Sequence, residues 1–173
     1  MHLIRFSNGK IEQSIISRCI FFVALGGLWF CAYIQLLILL NGACANYLKY
    51  KLDLFTLNIP DAIILIFNGV IISPLLEEFI FRKLIIGVFL KNHLPLGVLI
   101  SSFLFSFIHG VYYPVGLVNY HYVIIFLTGL LLGIVYVTYN RKIINTIFLH
   151  SVINSFMLIQ DNVLALINKT FCQ

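Results

Sequence analysis

The stretch PLLEEFIFR, residues 74–82, places two adjacent carboxylates and an arginine inside a long apolar run. A charged side chain at membrane depth is costly, so such residues are rare and face a bundle interior or a water-filled cavity. Two of the six acidic residues of the chain, Glu77 and Glu78, occupy these neighbouring positions. We therefore expect the remaining sequence to supply the scaffold and the polar partners of this acidic pair.

The composition is that of an integral membrane protein. Of the 173 residues, 61% are hydrophobic and 10% are charged, whereas a soluble domain is about 45–50% apolar and about 25% charged. The apolar runs predict an all-α fold, a polytopic transmembrane helix bundle with about five to six membrane segments in the cell membrane. The lipid bilayer is therefore an expected partner.

The net charge of +5 does not indicate a nucleic-acid-binding protein. The basic residues lie mostly at the edges of the apolar runs, where they orient a membrane protein and contact lipid headgroups. Because basic residues accumulate on the cytoplasmic side, their distribution predicts a cytoplasmic N-terminus. The residues at these edges are Arg18, Lys49, Lys51, Lys91, Arg141 and Lys142.

The apolar runs divide the chain into candidate membrane segments. Residues 1–18 are polar and predict a cytoplasmic lead or surface helix, followed by a single membrane-embedded domain over residues 19–173. The run over about 19–40 is long enough for one crossing, which takes about 20 residues. Later in the chain, Gly129 and Gly133 form a G-x-x-x-G spacing, which predicts close packing against a neighbouring helix. Further apolar segments lie near residues 62–90, 95–111, 119–138 and 143–159.

The apolar run over residues 62–90 is too long for one simple span, and Ser73-Pro74 interrupts it. Proline suits the first turn of a helix, so we expect one helix to end near Ile72 and a second to begin at Pro74. The acidic pair would then lie in the first turns of the second helix, where backbone N–H groups favour negative charge.

The acidic pair divides into two roles. Residues four apart share a face of a helix, so Arg82 can neutralise and orient Glu78. Glu77 lies about 100° away around the axis and has no partner of this kind. This asymmetry predicts that Glu78 and Arg82 are the orienting pair and that Glu77 acts on a water as a general base. The alternative is a buried ion pair that only holds two helices together.

Two histidines and an asparagine lie in other apolar segments. His109 ends one of them, where a histidine is commonly an interfacial residue, while His150 and Asn154 are four apart on one helix face. His150 and Asn154 are also candidates for hydrogen bonds that join helices across the bundle. Together with the carboxylates, the histidines and the asparagine provide a base, polarising donors and an amide for an oxyanion, which is the set needed to hydrolyse an acyl bond.

The same side chains form a donor set for a metal. Neutral histidines with a carboxylate bind zinc, and the predicted ligands would be Glu77, His109 and His150. The H-E-x-x-H pattern of the zincins is absent from the sequence. The residues therefore leave a metal-free and a zinc-dependent site both open.

Three motifs in order resemble the CPBP family of intramembrane proteases, the ABI or CAAX prenyl-protease type. The family motifs are E-E-x-x-x-R, F-x-x-x-H and H-x-x-x-N, and the chain matches them at residues 77–82, 105–109 and 150–154. The second motif adds Phe105 to the candidate residues, as a structural or orienting residue. The resemblance covers a core at about residues 60–160. Arg82 is often followed by glycine in the family, whereas Lys83 follows it here.

The resemblance implies a helical membrane bundle that encloses an endopeptidase site. It implies that Glu77 activates water with help from histidine, and that His150 and Asn154 bind the substrate carbonyl and the developing oxyanion. The substrate would be a peptide or a membrane protein. Eukaryotic relatives remove a C-terminal tripeptide from prenylated proteins, while small bacterial members are linked to peptide processing and bacteriocin self-immunity. The short chain favours the second kind of role.

Two other function classes compete with a protease. A non-catalytic immunity protein would sequester a bacteriocin or its receptor, and its polar cluster would only hold the helices together. A transporter or proton-relay subunit would also use buried carboxylates and histidines, but the sequence shows no inverted repeat. Substitution of Glu77 separates the first of these from an enzyme.

Overall fold

The computed structural model describes residues 8–41, 58–110 and 118–159, with side chains over 15–36, 58–109 and 122–159. All regular secondary structure in these ranges is helical, which confirms the all-α prediction. The residues between the first two apolar runs and those after the last one lie almost entirely outside the described residues. The helices are α1 (Asn8–Asn41), α2 (Ile59–Phe89), α3 (Leu94–Gly110), α4 (Val118–Thr138) and α5 (Ile143–Leu158).

Two stretches of the described chain are long and apolar enough to cross a membrane, Ile15–Leu36 and Ile59–Phe89. Three shorter helical stretches are also apolar: Leu94–His109, Tyr122–Thr138 and Ile143–Leu158. The number of membrane segments therefore stays a prediction. The helix α1 begins at Asn8 and runs without interruption through residue 18. The polar lead or surface helix over residues 1–18 stays a prediction.

The prediction of a helix break at Ser73-Pro74 is wrong. Ile72 and Ser73 keep right-handed helical backbone angles, and α2 continues through the proline. Two π-helical segments, Phe67–Ile72 and Phe79–Phe89, flank the short α-helical stretch Ser73–Glu78. Local π adjustment and polar side chains of neighbouring helices are the usual means by which a membrane helix tolerates proline. The acidic pair consequently lies inside a long helix and not at its first turn.

Glycines bring α3 and α4 into close contact, as the G-x-x-x-G spacing predicts. A Cβ atom added at Gly129 would lie 3.0 Å from Ser102 Cα, and one at Gly133 would lie 2.9 Å from Val98 Cγ1. Larger residues would therefore force the two helices apart.

The remaining contacts set the direction of the helices. Phe22 packs against Phe148, and Phe30 stacks on Phe156, so α1 and α5 run parallel.

Short turns at residues 90–93 and 139–142 join α2 to α3 and α4 to α5. Both turns lie at one end of the bundle, where a cluster built on Ile86, Val98 and Tyr136 also contains the first residues of α3 and α5. Phe22 contacts Tyr139 at the same end. We call it the basic end because it carries the exposed residues Arg18, Lys91, Arg141 and Lys142.

Candidate active site

The helices α2, α3 and α5 bring three of the predicted site residues together. Glu77 Oε2 lies 3.5 Å from His109 Nε2 and 3.6 Å from His150 Nε2. Glu77 and His109 reach the same level because α2 and α3 are antiparallel and joined by the short turn 90–93. The carboxylate is thus flanked by two imidazoles that come from different helices.

The predicted pair of Glu78 and Arg82 is present and completely buried. Arg82 Nε lies 3.3 Å from Glu78 Oε2, and both side chains have 0% exposure. Arg82 also donates to Ser101 Oγ from Nη1 at 3.4 Å and to the Gly129 carbonyl from Nη2 at 3.3 Å. Buried ions need such partners, because an uncompensated charge in the interior is strongly destabilising. The pair therefore fixes α2 against α3 and α4.

Glu78 also orients His150. The distance between His150 Nδ1 and Glu78 Oε1 is 2.9 Å. An ionised carboxylate only accepts hydrogen bonds, so the Nδ1–H group is the donor, and in the neutral imidazole Nε2 then carries the lone pair. That lone pair faces Glu77.

His109 is oriented in the same way by its own helix. Its Nδ1 donates to the Phe105 carbonyl at 2.8 Å, since a carbonyl oxygen only accepts. In the neutral imidazole the Nε2 atom of His109 therefore also carries a lone pair, and this atom faces Glu77. His109 is 33% exposed and Glu77 is 20% exposed, whereas His150 is 4% exposed, so the cluster opens on the side of His109.

Phe105 packs beneath this cluster. Its ring centroid lies 4.3 Å from that of His109 and 5.7 Å from that of His150. The guanidinium carbon of Arg82 lies 5.0 Å from the same ring, at cation–π distance. Phe105 therefore contacts both histidines and the arginine, as an orienting residue would.

Ser73 is a site residue that the sequence reasoning missed. Its hydroxyl donates to Glu77 Oε1, which leaves Oε2 turned towards the histidines. In the described part of the chain no group donates a hydrogen bond to that second oxygen. The spacing of four residues between Ser73 and Glu77 on one helix was the available signal. Ser101, which bonds Arg82 and was also missed, gave a weaker signal in the sequence, because it is a small polar residue inside an apolar helix.

Asn154 lies beside the cluster and forms a hydrogen bond to the backbone of another helix. Its Nδ2 atom donates to the backbone carbonyl of Gly69 in α2 at 2.8 Å. This bond uses one of the two amide hydrogens. The role of Asn154 in binding an oxyanion stays a prediction.

The predicted metal ligands Glu77, His109 and His150 converge at this point. Among the residues that the structure describes, no group of three or more His, Cys, Asp or Glu side chains is placed to hold a metal ion. The zinc site stays a prediction.

The sequence pattern of the family described as Type II CAAX prenyl endopeptidase, Rce1-like, matches residues 59–156. This range covers more than half of the chain and contains every site residue named above. The chain belongs to this family. It is therefore a CAAX-type protease at the level of the family, and the resemblance found in the three motifs is confirmed. Comparisons with curated proteins and with solved structures gave no match.

Proposed function

We propose that this protein is an intramembrane endopeptidase that hydrolyses a peptide bond with a water molecule activated by Glu77. The observation that carries the proposal is the meeting of three acceptor atoms, Glu77 Oε2 and the Nε2 atoms of His109 and His150. None of them donates to another when both histidines are neutral, so the group requires hydrogens from outside. A water molecule supplies two hydrogens and finds enough polar partners there.

In the proposed reaction Glu77 accepts a proton from this water while the water oxygen attacks the peptide carbonyl carbon. The tetrahedral intermediate collapses with cleavage of the C–N bond, and the proton passes from Glu77 to the leaving amine. Before that last transfer, the proton can reside on the Nε2 atom of His109 or His150, which then donates a hydrogen bond to the carbonyl oxygen as negative charge develops on it.

The experiment compares variants of the chain reconstituted in lipid nanodiscs. Glu77→Gln keeps the size of the side chain but removes the base. It is expected to lower kcat at least a thousandfold, because general-base catalysis and the positioning of the water are both lost. Asp61→Asn is the matched control, because Asp61 is an exposed carboxylate on the same helix. It should retain full activity. A Glu77→Gln protein that cleaves at the rate of the control would overturn the proposal.

The substrate is proposed to be a peptide or a membrane protein. The family description names prenyl endopeptidases, so the probes are a quenched fluorescent peptide with a farnesylated C-terminal cysteine motif and the same peptide without the lipid. Cleavage of the first alone assigns a prenylated substrate. Cleavage of both assigns a peptide specificity that does not need the prenyl group.

The cellular role is proposed to be peptide processing or bacteriocin self-immunity, on the strength of the motif resemblance. The test is bacteriocin resistance and peptide processing in the native host, with wild type and Glu77→Ala at equal abundance. If the variant still protects the cell, the protein acts without catalysis and sequesters its target instead.

A multi-pass topology in the cell membrane with a cytoplasmic N-terminus is also proposed. The basic end supports it, because basic residues gather on the cytoplasmic side. Lys91→Cys, in a background without native cysteines, should react with an impermeant maleimide only after the membrane is opened. Asn58→Cys, before the start of α2, should react in intact cells. The reverse pattern would invert the topology.

A further inference from the structure

The proline in α2 leaves one backbone carbonyl without a donor from its own helix. In the π segment before it, Ser73 N–H donates to the Asn68 carbonyl, five residues back. The next donor in this register would be the backbone nitrogen of residue 74, and its acceptor would be the Gly69 carbonyl. Proline has no N–H group. In the α register Gly69 would depend on Ser73 N–H, which is already bonded to Asn68.

Asn154 supplies the missing donor from another helix. Its side-chain amide reaches the Gly69 carbonyl at 2.8 Å. Water is not available in the hydrocarbon layer to satisfy such a carbonyl, so a neighbouring side chain has to do so. The bond therefore answers a specific need that Pro74 creates 80 residues earlier in the sequence.

The same bond sets the register of α5 against α2. His150 and Asn154 are one helical turn apart on α5. His150 meets Glu77 and Glu78, while Asn154 meets α2 about two turns before them. Two contacts at different levels prevent α5 from sliding along α2 and keep His150 Nε2 beside the carboxylate of Glu77.

We propose that Asn154 is a positioning residue, whose amide replaces the backbone donor that Pro74 lacks and thereby holds His150 against Glu77. The hydrogen bond between Asn154 and the Gly69 carbonyl is observed in the structure of the two helices. Its consequence for turnover rests on the proposed function. The alternative role of Asn154, direct contact with the substrate oxyanion, is an outcome of the test.

The first arm of the test is a double-mutant cycle on stability, which requires no activity. Asn154→Ala should lower the Tm in the wild-type background. In the Pro74→Ala background, where residue 74 has its own N–H group, the shift should be at most half as large. Ser155→Ala is the control, because Ser155 is an exposed neighbour that bonds within its own helix. Equal Tm shifts from Asn154→Ala in both backgrounds would overturn the proposal, whether or not the protein proves to be a protease.

The second arm measures turnover of the farnesylated peptide by the folded fraction of each variant. Asn154→Ala should lower kcat about 10- to 100-fold with KM changed less than twofold, since a displacement near 1 Å can cost about 100-fold. Pro74→Ala in that variant should restore kcat several-fold. An equal kcat loss in both backgrounds would refute the positioning role in favour of oxyanion contact, and an unchanged kcat would refute it in favour of a stability role alone.

Discussion

Arg82→Met is expected to remove a large part of the free energy of unfolding. The guanidinium is completely buried, and its removal leaves the equally buried carboxylate of Glu78 without its cation. Breaking a buried pair from one side costs about 3–5 kcal/mol. The hydrogen bonds from Arg82 to Ser101 and to the Gly129 carbonyl are lost as well. Against a total stability of about 5–15 kcal/mol, the variant would be marginal.

Unfolding in mixed micelles with increasing denaturant measures this loss, and Lys83→Met is the matched control. Lys83 is the next residue and is exposed, so the same kind of substitution there should change stability by less than about 0.5 kcal/mol. The double variant Glu78→Gln/Arg82→Met removes both charges and should be less destabilised than Arg82→Met alone. A cost below about 1 kcal/mol for Arg82→Met would refute the reasoning that Arg82 compensates a buried anion.

Four further outcomes are expected. Ser73→Ala should lower kcat about tenfold, equivalent to about 1.4 kcal/mol, with KM unchanged, because Glu77 loses the donor that orients it; steady-state kinetics with an unchanged kcat would contradict this. Gly129→Ala should cost about 1–3 kcal/mol because its Cβ would press on Ser102. Gly69→Ala, where a Cβ meets nothing within 4 Å, should be tolerated in the same unfolding assay. A chelator should leave kcat unchanged, whereas a loss that zinc reverses would show that a metal takes part.

The side-chain pattern singled out residues that the fold brings together. Glu78 and Arg82 are four residues apart on one helix, and that spacing alone gives their ion pair. His109 and His150 followed from their motifs. The short turn 90–93 between the antiparallel helices α2 and α3 sets Glu77 and His109 at equal heights.

Two of the contacts that the sequence did not reveal involve backbone atoms. Arg82 binds the carbonyl of Gly129, and Asn154 binds the carbonyl of Gly69, 85 residues away along the chain. Every residue has a carbonyl, so the residue type carries no signal for such an acceptor. The proline was visible in the sequence, but the amide that compensates it could be found only from the packing of α5 on α2.

The length of α2 has a consequence for the membrane in which the protein works. Its 31 residues would extend about 46 Å at the rise of an α-helix, well beyond a hydrocarbon layer about 30 Å thick. Such a mismatch is relieved by tilt or by local thickening of the lipid. Because Glu77 is carried by this helix, acyl-chain length would set how deep the carboxylate sits below the headgroups. Bilayer thickness would then adjust which part of a membrane-anchored substrate comes within reach.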